Sequence, residues 1–126
     1  MTAFHTTLIE EPVLDPAVLA EIRALATGGE DDAIMAITQV FMADAPDRVV
    51  RLGAAIAARD VNTVRRIAHR LRGGALALGA GRMARVCTAI EQAAVAESID
   101  EAARQWPGFS REFEAVKQAL LKESHR

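Results

Sequence analysis

The sequence predicts an all-α fold, an antiparallel four-helix bundle with one or two additional short helices. Two observations carry that prediction. Alanine supplies much of the 51% hydrophobic content, aromatic residues make up only 4%, and glycine and proline are few. Such a composition suits closely packed helices better than sheets. Apolar residues also recur at three- and four-residue spacing through most of the chain, the stripe of a helix that faces a bundle. A length of 126 residues fits one domain with its own core.

The elements follow in order. Residues 1–13 lack clear periodicity and read as an N-terminal arm or a short packed segment. Asp15-Pro16 reads as an N-cap followed by proline at the first helical position. Val18, Leu19, Ile22 and Leu25 continue as a short helix that Thr27-Gly28-Gly29 ends. Glu30, Asp31 and Asp32 put acid at the start of the next helix, where the dipole favours it. Ile34, Ile37, Phe41, Ala45, Val49, Leu52 and Ile56 keep helical spacing across Pro46. That stretch is either one helix kinked at the proline or two helices meeting there.

Asp60 is placed to cap the third helix, whose stripe is Val61, Val64, Ala68, Leu71, Ala75 and Leu78. Gly79-Ala80-Gly81 supplies its stop. Met83, Val86, Cys87, Ile90 and Ala94 form the next stripe. The pattern weakens over 97–105, and Trp106-Pro107-Gly108 predicts a break or kink. Phe109, Phe113, Val116 and Leu120 give a final helix. The bundle is thus expected over 14–122, with a charged tail at 123–126. No internal repeat or low-complexity linker interrupts it.

Several function classes are disfavoured. A net charge of −2 gives no reason to expect nucleic acid or an anionic membrane as partner. No stretch approaches the roughly 20 apolar residues that span a bilayer, and the N-terminus lacks a signal-peptide pattern. The single cysteine, Cys87, rules out an intrachain disulfide and fits a reducing compartment. Cys87 falls on an apolar stripe and reads as a core residue. These features predict a cytoplasmic protein. No histidine has partners at a metal-ligand spacing, no Gly-rich loop sits between strand and helix, and no Ser-His-Asp or Cys-His arrangement can be drawn.

The informative segment is Ala68-His69-Arg70-Leu71-Arg72-Gly73-Gly74. At roughly 100° per residue, His69 lies about 130° from the centre of its helix's apolar stripe, and Gly73 about 170°. His69, Arg72, Gly73 and Leu76 are spaced i, i+3, i+4, i+7 and share one outward face. A mid-helix glycine costs about 1 kcal/mol relative to alanine, with no packing gain on an outward face. A surface glycine one turn after a surface histidine suggests that something large approaches the imidazole. Arg65, Arg66, Arg70, Arg72, Arg82 and Arg85 form a local basic cluster in sequence. It reads either as a solvated face or as charge for an anion beside the imidazole. Its angle from the stripe works against a buried core histidine, so His69 reads either as an inert surface histidine or as a nucleophile that accepts a phosphoryl group through a free ring nitrogen. His5 and His125 lie in end segments and are given no role.

At these residues the chain resembles the histidine-containing phosphotransfer (HPt) domains of multistep phosphorelays. The family's pattern is a histidine, then leucine, lysine and glycine within five residues, followed by leucine-glycine-alanine. Here it reads His69, Leu71, Arg72, Gly73, then Leu78-Gly79-Ala80. The segment Phe41-Met42-Ala43-Asp44-Ala45-Pro46 and the helix carrying Cys87 to Glu91 extend the resemblance over most of the chain. Arg72 departs from the usual lysine, and Gly74 stands where serine is common.

The resemblance implies a two-component signalling protein that relays a phosphoryl group between receiver-domain aspartates through a phosphohistidine at His69. Arg72 would neutralise phosphoryl charge, Gly73 would give clearance, and Leu76, Gly74 and Arg70 would contact the partner. No cofactor or metal would bind this chain, Mg²⁺ being held by the partner receiver. Partners would be response-regulator receiver domains and a hybrid or sensor histidine kinase upstream. The chain would act as a monomer without kinase activity of its own. Two alternatives stay open: a non-phosphorylated helical module that binds a kinase or receiver, and an excised phosphoacceptor domain of a chemotaxis-type or hybrid kinase.

Overall fold

The computed structural model describes residues 11–25 and 30–124. The expected stop at Thr27-Gly28-Gly29, His5 and His125 lie outside the described residues. Five helices are present among the described residues: α1 (Pro16–Ala24), α2 (Glu30–Ala57), α3 (Val61–Ala77), α4 (Gly81–Val95) and α5 (Ile99–Ser124). The connections α2–α3, α3–α4 and α4–α5 span only residues 58–60, 78–80 and 96–98. Links this short force each helix to run antiparallel to the one before. The four long helices close a ring in which α5 also packs on α2, and short α1 packs on α2. This is the expected bundle with one additional helix among the described residues. No helix of the described residues is long and apolar enough to cross a membrane.

The caps form as the residue types require. Asp15 accepts a hydrogen bond from the Ala17 amide at 2.9 Å and starts α1 with Pro16 in its first turn. Asp60 accepts from the Thr63 amide at 3.2 Å and the Thr63 hydroxyl at 2.7 Å. Those two bonds, the hydroxyl's first, hold the Asp60 carboxyl below its ordinary range. At the α3–α4 turn Gly79 has φ +73°, the left-handed region that glycine enters without penalty. Arg59 and Glu97 take the same conformation, at φ 59° and 57°, at the ends of α2 and α4. Relief of about 1–2 kcal/mol of left-handed strain, offset by about 0.5–1 kcal/mol of glycine chain entropy, makes Glu97→Gly stabilising by about 0.5 kcal/mol. A small rise in urea midpoint checks that.

The core lies where the stripes converge. Ile34 and Leu52 of α2, Val64 and Ala75 of α3, Met83 and Ile90 of α4, and Phe109 and Leu120 of α5 are all fully buried. Leu25 departs from the expected stripe. It is the C-cap of α1 and is 83% exposed, because α1 ends before Leu25 can turn toward the core.

Both prolines lie inside continuous helices. At Pro46 the single-helix reading therefore holds. At Trp106-Pro107-Gly108, where a break or kink was expected, the helix likewise runs through without a break. Pro107 removes one helix hydrogen bond, to the carbonyl of Ala103. Both residues are exposed, so water can reach that carbonyl. The apolar face meanwhile runs on without interruption, from Ile99 and Ala102 through half-buried Trp106 to Phe109, Phe113, Val116 and Leu120. The Trp106 and Phe109 rings lie 5.5 Å apart, and Phe109 and Phe113 6.3 Å. Gly53 lets α2 approach this column: a Cβ there would meet the indole at 2.9 Å. Helix α5 continues to Ser124, and Glu123 pairs with Arg23 of α1 at 2.9 Å. At the start of the described residues Leu14 is buried and exposed Glu11 pairs with Arg85.

Candidate functional site

Helix α3 places Val64, Ala68, Leu71 and Ala75 in the core, so the residues on its other side are necessarily presented outward. His69 is there, its side chain 59% exposed. Gly73 and Gly74 are exposed, and a Cβ on either would meet nothing within 4 Å. Neither glycine is demanded by packing inside this chain. Leu76 is 57% exposed, one turn beyond.

Helix α4 supplies what the sequence analysis did not single out as a site residue. Glu91 stands beside the buried Ile90 and reaches across to α3. Its Oε2 lies 2.9 Å from His69 Nδ1, and only 16% of its side chain is exposed. Arg72 completes a triangle. Its Nη1 lies 3.1 Å from Glu91 Oε1 and its Nη2 3.0 Å from His69 Nδ1. The Arg72–Glu91 contact is at ion-pair distance but poorly aligned, and the buried Oε1 has no hydrogen-bond donor among the described residues. Among the described residues nothing hydrogen-bonds His69 Nε2. One ring nitrogen is thus held by the protein and the other is left to solvent. A carboxylate only accepts hydrogen bonds, so Glu91 favours the ring form with the proton on Nδ1 and the lone pair on Nε2.

Cys87, one turn before Glu91, is fully buried. Burial pushes its thiol up to about 12, and the Arg72 charge pulls the other way less strongly. It is a neutral packing residue behind the site, as its stripe position predicted.

The arginines clustered in sequence divide: Arg65 and Arg66 stand one turn before His69 on α3, while Arg82 and Arg85 pair elsewhere. Only Arg72 touches the imidazole. Arg82 and Arg85 sit in the first turns of α4, roughly 9–13 Å along that helix from Glu91 at 1.5 Å per residue. Arg82 pairs with Glu112 at 3.1 Å, and Arg85 pairs with Glu11. The Arg85 contact lowers the Glu11 carboxyl below its ordinary range. Arg82 and Arg85 directly follow the turn at Gly79, so they stand near the turn end of the hairpin, while His69 and Glu91 meet farther along it.

The three residues expected to contact a partner fall on two flanks of Gly73. Leu76 lies on the His69 side, beside Pro12, Val18 and Gly79. Arg70 and Gly74 lie on the opposite flank. They border an apolar groove of about 220 Å³ between α2 and α3, lined by Ile37, Val40, Phe41 and Leu71.

Comparison with known proteins agrees with this architecture. The family model described as Hpt domain matches residues 36–122. Among solved structures, the chain is similar to histidine-containing phosphotransfer protein B from Pseudomonas aeruginosa PAO1. The TM-score is 0.83 at 29% identity, covering 93% of this chain and 98% of that one. It also shares its fold with the histidine-containing phosphotransfer protein MtHPt2 from Medicago truncatula. There the TM-score is 0.79 at 16% identity, covering 98% and 87% of the two chains. No curated protein matches at a significant level.

Proposed function

Because the chain belongs to the Hpt domain family, we propose that His69 is its phosphoacceptor and relays a phosphoryl group between receiver-domain aspartates. The observation that carries this reading is the imidazole of His69, held at Nδ1 by the half-sunk Glu91 carboxylate with Nε2 open to solvent. In the forward step the Nε2 lone pair forms a bond to phosphorus. The acyl phosphate P–O bond breaks, and its electron pair leaves on the receiver's aspartate. Positioning and charge neutralisation carry such a transfer, with little covalent chemistry for the protein to do.

Each neighbour has a task in that step. Phosphorylation at Nε2 leaves the ring positively charged while Nδ1 keeps its proton, and Glu91 stabilises that charge through the Nδ1–H bond. The reverse transfer gains from the same Nδ1 proton, because a ring that carries it takes the N–P electron pair and leaves phosphorus as neutral imidazole. Arg72 offers guanidinium N–H groups to phosphoryl oxygens. Gly73 clears the approach, and Arg70, Gly74 and Leu76 contact the partner. The Mg²⁺ that such a transfer uses is assigned to the receiver. The same reading has a cytoplasmic monomer without kinase activity of its own, working between a hybrid or sensor kinase and a response-regulator receiver.

The test is incubation with labelled, phosphorylated receiver domains from the same source. An acid-labile, base-stable label on this chain supports the reading. Receiver binding without any label would overturn it in favour of a binding-only module. A second prediction concerns Gly73. Leucine at this position is expected to keep or raise thermal stability, since its side chain meets open space and leucine is the better helix former by roughly 1 kcal/mol. Transfer should nevertheless slow by at least about tenfold, the rate equivalent of about 1.4 kcal/mol of blocked approach. Unchanged transfer in Gly73→Leu would remove the clearance role.

A further inference from the structure

We propose that Arg72 and Glu91 compete for Nδ1 of His69, so that Arg72 holds the resting imidazole partly in its unreactive tautomer and releases it when a phosphoryl group arrives. The inference rests on His69 being the phosphoacceptor.

It follows from two contacts that a neutral ring cannot make together. Glu91 Oε2 and Arg72 Nη2 approach the same nitrogen, at 2.9 Å and 3.0 Å. A ring nitrogen of neutral imidazole carries either a proton or a lone pair. Glu91, as a carboxylate, can only accept, and needs Nδ1–H. Arg72 can only donate, and needs Nδ1 bare. In the first state Nε2 has its lone pair and is a nucleophile. In the second, Nε2 carries the proton and cannot attack phosphorus. Passing between them loses one proton from Nε2 to water and takes one from water at Nδ1, with no net change in charge.

The surroundings hold both states within reach. Helix α3 presents Arg72 one turn after His69, and the Arg72 side chain is 31% exposed. It is therefore free to turn outward. Glu91 Oε1, buried and without an aligned donor, gives Arg72 a charge partner but a poorly formed hydrogen bond. A phosphoryl group beside Nε2 offers the guanidinium two oxygens and more charge. As Arg72 turns to it, Nδ1 passes to Glu91 and the Nε2 lone pair is bared. Arrival of the phosphoryl group thus activates its own acceptor. An arginine is suited to this because its fork spans two acceptors at once, whereas a lysine is a single point charge.

The tautomer can be read directly by nitrogen-15 NMR of the histidine ring, in which protonated and unprotonated nitrogens resonate far apart. The free full-length protein is used, near pH 8.5, about two units above the ordinary imidazole value. Wild type is expected to show both tautomers. Arg72→Ala should shift the ratio about fivefold toward Nδ1–H, the equivalent of one typical net hydrogen bond. Glu91→Ala should shift it a similar amount toward Nε2–H. Arg72→Gln, which keeps a donor amide, should fall between Arg72→Ala and wild type. A wild-type ring already wholly Nδ1–H, or a ratio unmoved by Arg72→Ala, overturns the proposal. No receiver enters this measurement, so its failure is separate from failure of the phosphoacceptor reading, which only the transfer assay decides.

Discussion

Replacing His69 by glutamine is expected to reduce phosphoryl acceptance to background while leaving the fold intact. The loss is complete because the amide has no nucleophilic nitrogen: its lone pair is delocalised into the carbonyl. The fold survives because His69 contributes nothing to the buried stripe of Val64, Ala68, Leu71 and Ala75. Its side chain is mostly exposed, and surface substitutions of this kind change stability by about 0.5 kcal/mol or less. The glutamine amide can still donate to Glu91. The check is transfer from a labelled receiver, run beside far-UV circular dichroism and a thermal melt. Label retained on folded His69→Gln would place the phosphoryl group on another residue.

The largest stability effect is expected from Phe109→Ala. Phe109 is fully buried and stacks between Trp106 at 5.5 Å and Phe113 at 6.3 Å. Phe113 in turn meets Phe41 of α2 at 5.8 Å. Removing the central ring deletes transfer energy and leaves a cavity that stiff aromatic neighbours fill poorly. The expected cost is about 3–5 kcal/mol, a large share of the roughly 5–15 kcal/mol that hold a domain folded. Urea unfolding measures it. A loss under about 1 kcal/mol would show that the column collapses onto the gap and that the α2–α5 seam is held elsewhere.

Much of this molecule was legible in the order of its residues. The wheel of α3 placed Val64, Ala68, Leu71 and Ala75 inward and His69, Gly73 and Leu76 outward, and the structure has them so. A single helix's angular arithmetic suffices for that, because one buried stripe decides which way every other residue faces. Glu91 was not singled out, because its role exists only between helices. In sequence it is one of several carboxylates flanking an apolar stripe, and nothing local distinguishes it from Glu97. The arginines show the limit of closeness along the chain: both readings of their cluster were open, and Arg82 and Arg85, just past the turn at Gly79, pair with Glu112 and Glu11 and not with the imidazole. Of the break or kink expected at Trp106-Pro107-Gly108, the break weighed local punctuation above period. The spacing Ile99, Ala102, Trp106, Phe109 already alternates three and four, and the burial it secures outweighs one missing hydrogen bond.

The position of the indole has a practical consequence. The chain has one tryptophan and no tyrosine, and that tryptophan lies against Gly53 on the seam between α2 and α5. His69 and its neighbours belong to the α3–α4 hairpin. Intrinsic emission from this protein is therefore a local gauge of whether the seam is closed. It reports unfolding from the side of the bundle away from His69, so a binding titration on the His69 face requires a label of its own.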